Sequence, residues 1–164
     1  LVVLYALSAI IGPVAGQNWG AGLTARAREA VVLCFRFCVI FGVGGSIILF
    51  AVTPWITPLF DPDPHISGTA DLYLRIVPWS YALHGAVMVS SAFFNGIGKP
   101  GRSLVLTIIR MMVLMVPLAL IGSTLAGISG VFWAVAIANT ASGLLAIVWS
   151  LKACALATGT GSAK

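Results

Sequence analysis

Gly16-Gln17-Asn18-Trp19-Gly20-Ala21-Gly22 closes the first apolar run of the chain, and Arg26 and Arg28 follow within two turns. A polar, glycine-dense stretch capping a greasy segment is unusual in a soluble core. Where a helix leaves a bilayer it lets backbones approach closely, and the arginines behind it belong in water. Asn95-Gly96-Ile97-Gly98-Lys99-Pro100 ends a later apolar run in the same way, with Arg102 just behind it.

Composition agrees with these two exits. The 164 residues are 60% hydrophobic and 8% charged, with a mean hydropathy of +1.08. A soluble domain carries roughly 25% charged residues. The apolar runs are long and continuous rather than alternating, which selects membrane helices over a membrane barrel. The net charge of +5 does not point to nucleic acid, because the basic residues sit singly at breaks between runs. Three cysteines, an odd number, argue against a disulfide framework, and Cys34 and Cys38 read as small hydrophobes one helical turn apart.

Five helical segments are expected: Leu1 to about Ala15, Ala25 to Pro54 or as far as Phe60, Ser67 to Phe94, Ser103 to Leu125, and Val131 to Leu151. The first is shorter than the roughly 20 residues that span a bilayer, so it reads as a truncated helix of a longer chain. The breaks alternate in charge. Arg26 and Arg28, then Lys99 and Arg102, then Lys152 and Lys164 mark one side; Asp61 and Asp63, and the uncharged stretch from Gly122 to Gly130, mark the other. The positive-inside rule then places the basic side and the C-terminus in the cytoplasm. Residues 158–164, Thr-Gly-Thr-Gly-Ser-Ala-Lys, read as a disordered tail.

Taken in order, the two exits resemble those of the multidrug and toxic compound extrusion (MATE) transporters, on Gly16, Gln17, Asn18, Gly20, Ala21 and Gly22, then Asn95, Gly96, Gly98 and Pro100. The likeness runs along nearly the whole chain. It implies an all-α polytopic bundle in which these are the last five of twelve helices, residues 1–157 forming part of the C-terminal lobe and 158–164 a cytoplasmic tail. It implies a secondary antiporter of the bacterial inner membrane that exports organic, often cationic, drugs or metabolites in exchange for H+ or Na+. No cofactor, metal or nucleic acid is expected; the partners are the lipid bilayer, a missing N-terminal lobe and small organic substrates. A lipid or lipid-linked oligosaccharide flippase of the wider superfamily and a non-transporting scaffold subunit are the alternatives. Without a His/Asp/Glu cluster, or a serine or cysteine paired with a base, a membrane enzyme is not indicated.

The cavity candidates are His84, Ser80, Tyr81, Met88 and Met112. His84 is an ionisable group inside a membrane helix, which makes it a functional candidate by default; the alternative is a neutral interior histidine held by hydrogen bonds. Aligned on the Asn95-Gly96 exit, it falls near the position where some sodium-coupled MATE members carry a cation-binding carboxylate. No Asp or Glu lies deep in these segments, so the resemblance implies that the coupling acid sits in the other lobe. Pro78 and Pro117 each remove a backbone hydrogen bond, freeing the carbonyls of Leu74 and Val113, and Pro78 is expected to offer His84 a carbonyl partner. Arg36 and Arg110 lie about two turns deeper than Arg28 and Arg102; they either snorkel to the headgroups or face inward and hold helices through backbone carbonyls. Asp71 and Arg75 have the i, i+4 spacing of an ion pair. Gly12 and Gly16 form a small-xxx-small pair that marks either close helix packing or simply the end of a helix disturbed by Pro13. Gly96 to Gly101 matches the G-x-G-x-x-G dinucleotide fingerprint literally but lacks its strand–turn–helix context.

Overall fold

The computed structural model describes the backbone of residues 1–60 and 64–161 and the side chains of 1–57 and 67–157. Asp61, Asp63 and residues 162–164 of the expected tail lie outside them. The described elements are helical: α1 (Val2–Gly20), α2 (Thr24–Phe60), α3 (Pro64–Ile76), a 3-10 turn (Val77–Ser80), α4 (Tyr81–Gly96), α5 (Pro100–Ile108), a wide i→i+5 segment (Ile109–Met115) and α6 (Val116–Gly161). Val2–Gly20, Thr24–Thr57 and the Pro100–Ala157 stretch are long and apolar enough to cross a membrane.

Three expected boundaries change. The first helix does not end near Ala15 but continues to Gly20, so most of the first exit motif is helical and α1 reaches spanning length. Its stop is Gly22, at φ +76°. There the Gly22 amide donates to the Trp19 carbonyl (3.1 Å) and the Leu23 amide to the Asn18 carbonyl (2.8 Å). The second exit repeats this arrangement. Gly98 sits at φ +74°, with Gly98 donating to Asn95 (3.1 Å) and Lys99 to Phe94 (2.8 Å). Both are Schellman caps, in which a left-handed glycine ties off carbonyls the helix would leave orphaned. Pro100 then opens α5 at a position where its missing N–H costs nothing.

The segment expected from Ser67 to Phe94 is broken at Pro78 into α3, the 3-10 turn and α4. The uncharged break read over Gly122–Gly130 is narrower than expected. Only Ala126 and Gly127 leave helical geometry, and α6 folds there into two arms, 116–125 and 128–161. Gly122 and Gly130 belong to the arms and bring the two backbones into contact.

The core gathers around α4. Leu4, Ile11 and Ala15 of α1, Val31 and Cys38 of α2, and Ala146 and Cys154 of α6 are 2% exposed or less and pack with Phe93 and Phe94. At the α1–α4 crossing the small-xxx-small pair meets the second exit motif: a Cβ on Gly16 would stand 2.6 Å from the Gly96 carbonyl oxygen, and Gly96 is backed against the Gly12 carbonyl. Without side chains between them, dispersion contacts form directly between backbones, which is how membrane helices associate where the hydrophobic effect is absent. Lys99 and Arg102 stand over aromatic rings at one end. Lys99 lies 5.7 Å from the Trp19 ring centroid, and Arg102 lies 5.7 and 5.9 Å from those of Phe94 and Trp149.

Candidate functional site

Two irregular stretches, the Pro78 break and the wide segment ahead of Pro117, carry polar side chains across the bundle. In lipid every freed backbone group needs a partner, so irregular backbone persists only where protein or a cavity supplies one. At the break the Ser80 hydroxyl donates to the Val77 carbonyl (2.8 Å). The Ser46 hydroxyl, from α2, lies 2.6 Å from the Pro78 carbonyl and equally close to that of Gly42 in its own helix. Serines, not His84, therefore bond the Val77 and Pro78 carbonyls at the break.

His84 finds its partner elsewhere. Its Nδ1 lies 3.0 Å from an Nη of Arg110, and the same nitrogen lies 3.3 Å from Oδ1 of Asn139. Asn139 Nδ2 donates in turn to the Ser80 hydroxyl (3.1 Å), closing a chain Arg110–Asn139–Ser80–Val77 carbonyl. A guanidinium only donates, so Nδ1 of His84 accepts and the ring proton sits on Nε2. Ser80 and Asn139 are 1% and 5% exposed, so this polar chain is sealed at its centre.

Arg110 thus faces inward and ties side chains rather than backbone carbonyls. The widened turn is the local reason. Pro117 cannot donate to the carbonyl of Val113, the ladder loosens ahead of it, and residue 110 is presented toward α4 and α6. Arg36 behaves differently: it is exposed and lines an apolar outer groove with Phe35 and Leu151.

His84 and Arg110 share the wall of an open groove of about 360 Å³ with Tyr5, Met88, Ser91 and Thr107. Ser80, itself sealed, backs the wall of a second groove of about 540 Å³, beside Arg75, Trp79 and Thr140, so the polar chain runs between the two grooves. Of the five sequence candidates, His84 and Met88 line the first groove and Ser80 lies on the sealed chain. Tyr81 pairs its hydroxyl with that of Tyr73 (2.8 Å) and borders a third, mostly apolar groove. Met112 is 64% exposed and borders neither groove of the polar chain. Asn139 was missed. Its signal was available, an amide within the apolar stretch Ala136-Ile137-Ala138-Asn139, but it carries no charge to draw attention. Ser91 lines the groove, whereas the hydroxyl of Ser90 is buried without a partner among the described residues.

At the opposite end from Lys99 and Arg102, Arg75 Nε meets Asp71 Oδ2 at 2.7 Å and the guanidinium lies 5.3 Å from the Phe50 centroid. Both side chains are a third or more exposed. Such a pair contributes little.

The MatE family model matches residues 1–121. The FAD transporter of Shewanella oneidensis is 31% identical over 154 residues, which cover 94% of this chain and 34% of that protein. The multidrug export protein MepA of Staphylococcus haemolyticus is 28% identical over 153 residues, 92% of this chain and 33% of that protein. The chain therefore spans about a third of the length of these relatives. Among solved structures, the Vibrio cholerae MATE transporter VcmN in its bent form superposes with a TM-score of 0.90 at 24% identity, over 96% of this chain and 36% of that one. A transporter from Pyrococcus furiosus, described as having a binding pocket of reverse polarity, superposes at 0.84 and 22% identity over 92% of this chain and 34% of that one. With the family model covering residues 1–121 and the helical architecture shared at these scores, this integral membrane chain belongs to the MatE family.

Proposed function

We propose that the complete polypeptide is a secondary transporter that exports small organic compounds in exchange for H+ or Na+, and that this chain is the greater part of its C-terminal lobe. The observation that carries the reading is the His84–Arg110–Asn139–Ser80 chain, held between grooves at the two irregular stretches of the helices. Interrupted helices with polar side chains at membrane depth are where secondary transporters bind their cargo, and rocking of one lobe against the other exposes such a site to each side in turn. The relatives, one described as an FAD transporter and one as a multidrug exporter, fit this reading.

Coupling needs a group that exchanges a proton or sodium ion for substrate in a low dielectric. The described segments offer only Glu29, near the basic end, and Asp71, already paired with Arg75, which fits a coupling acid carried by the other lobe. The basic end faces the cytoplasm under the positive-inside rule. The test is flux in proteoliposomes containing the full-length protein, with an imposed pH or Na+ gradient and a panel of flavins and cationic dyes. Gradient-dependent movement of at least one compound supports the reading. Absence of flux for the whole panel, or flux indifferent to both gradients, overturns it.

A further inference from the structure

We infer that the groove walled by Arg110 and His84 holds the oxyanion of an organic substrate, a phosphate or carboxylate, with the Arg110 guanidinium as its anchor. This rests on the transporter reading and adds the substrate's chemical class.

Arg110 lies eight residues beyond Arg102, roughly 12 Å further along the helix. A cation at that depth is costly and normally has a partner of opposite charge. Among the described residues Arg110 has no carboxylate partner: its two bonds, both from one Nη, go to the neutral acceptors His84 Nδ1 and Asn139 Oδ1. Asp71 is bound to Arg75. A guanidinium has five N–H donors in a fixed fork. The second Nη and Nε of Arg110 find no partner among the described residues, and neither is a sealed, unsatisfied atom, so they belong to the open side of the site.

The rest of the wall points to the same ligand. Because Nδ1 of His84 accepts, its Nε2 carries a proton and is a second donor without a described partner. The Thr107 hydroxyl is already committed to the Ser103 carbonyl. Met88 and Val87 supply an apolar flank for the body of an amphipathic molecule. The ionisable groups of this groove therefore offer donors and positive charge and no anionic acceptor. A planar fork bound to an oxyanion forms strong charge-assisted hydrogen bonds, whereas a cation would meet an unneutralised guanidinium in a low dielectric.

The probes are riboflavin 5′-phosphate and riboflavin, which share a ring system and differ by one phosphate. Binding to the purified full-length protein in lipid nanodiscs is read from flavin fluorescence. The phosphate form is expected to bind about tenfold tighter or more, the worth of charge-assisted hydrogen bonds. Arg110→Gln should bring the ratio of the two affinities to about one, Arg110→Lys should keep part of the preference, and Arg36→Gln should change neither affinity. Failure of the wild type to prefer the phosphate form overturns the inference without reference to any variant, and a preference that survives Arg110→Gln overturns the anchor. Gradient-driven export of a cationic dye by a protein without the flavin preference removes the anion site and leaves the transporter reading standing. A preference retained by a protein that moves nothing does the reverse.

Discussion

Gly16→Ala should destabilise the protein, while Gly20→Ala, one turn further along the same helix, should not. The added methyl at residue 16 would lie 2.6 Å from the Gly96 carbonyl oxygen and 3.2 Å from its carbon, against an ordinary contact of at least 3.4 Å. Both neighbours are backbone atoms and cannot swing aside, so α1 and α4 must separate. Overpacking of this kind costs typically 1–3 kcal/mol. Alanine is favoured over glycine within a helix by about 0.5–1 kcal/mol, which offsets part of it. The net loss at Gly16 is about 0–2.5 kcal/mol on those two figures, centred a little above 1 kcal/mol. At Gly20 nothing stands within 4 Å of the new methyl, so only the helix gain, reduced at a helix end, remains. Reversible unfolding of the full-length protein in mixed micelles of increasing SDS content measures both. Equal stabilities would refute the claim that bare backbone contact sets the crossing. Both helices wall the groove, α1 through Tyr5 and Ser8 and α4 through His84, Ala92 and Asn95, so separating them at Gly16 should also weaken substrate binding.

Asn139→Ala removes an acceptor from Arg110 and a donor to Ser80, and should cost about 1–2 kcal/mol on the scale of interhelical hydrogen bonds in membranes. A double-mutant cycle with Ser80→Ala in the same assay should return a coupling near 0.6 kcal/mol; zero coupling would remove the Asn139–Ser80 bond from the account. Ser46→Ala removes the bond from α2 to the Pro78 carbonyl and should cost about 1 kcal/mol by the same measurement, where a neutral result would show that the Tyr81 amide alone satisfies that carbonyl. Asp71→Asn should change stability by less than about 1 kcal/mol, because the pair with Arg75 is solvent-accessible, and a larger loss would show that the membrane shields it.

Much of the architecture was legible because it follows from one-dimensional signals. Apolar length gave the helices, and the polar glycine exits located two of their ends. What those exits share physically, a left-handed glycine two residues past the last helical one, depends on φ at Gly22 and Gly98 and emerges only in three dimensions. The break at Pro78 was visible in the sequence but its partner was not. Ser46 lies 32 residues away, and only the rotation of α2 about its axis decides which side chain reaches the carbonyl. The same holds for Arg110, whose inward orientation depends on the wide turn ahead of Pro117, a feature that has no hydrophobic period of its own. Asn139 escaped because depth in a membrane draws attention to charge, while a neutral amide can join a network as readily.

The central claim is that the Arg110–His84 groove is a water-accessible cargo site in the complete protein. It is tested most directly by thiol accessibility. In full-length protein with Cys34, Cys38 and Cys154 replaced, Ser91→Cys places a thiol on the groove wall and Val89→Cys one in the sealed core. The account predicts that anionic 2-sulfonatoethyl methanethiosulfonate modifies Ser91→Cys and not Val89→Cys, and that adding Arg110→Gln slows the reaction by weakening the local positive potential. A Ser91→Cys thiol as inert as that of Val89→Cys would contradict it.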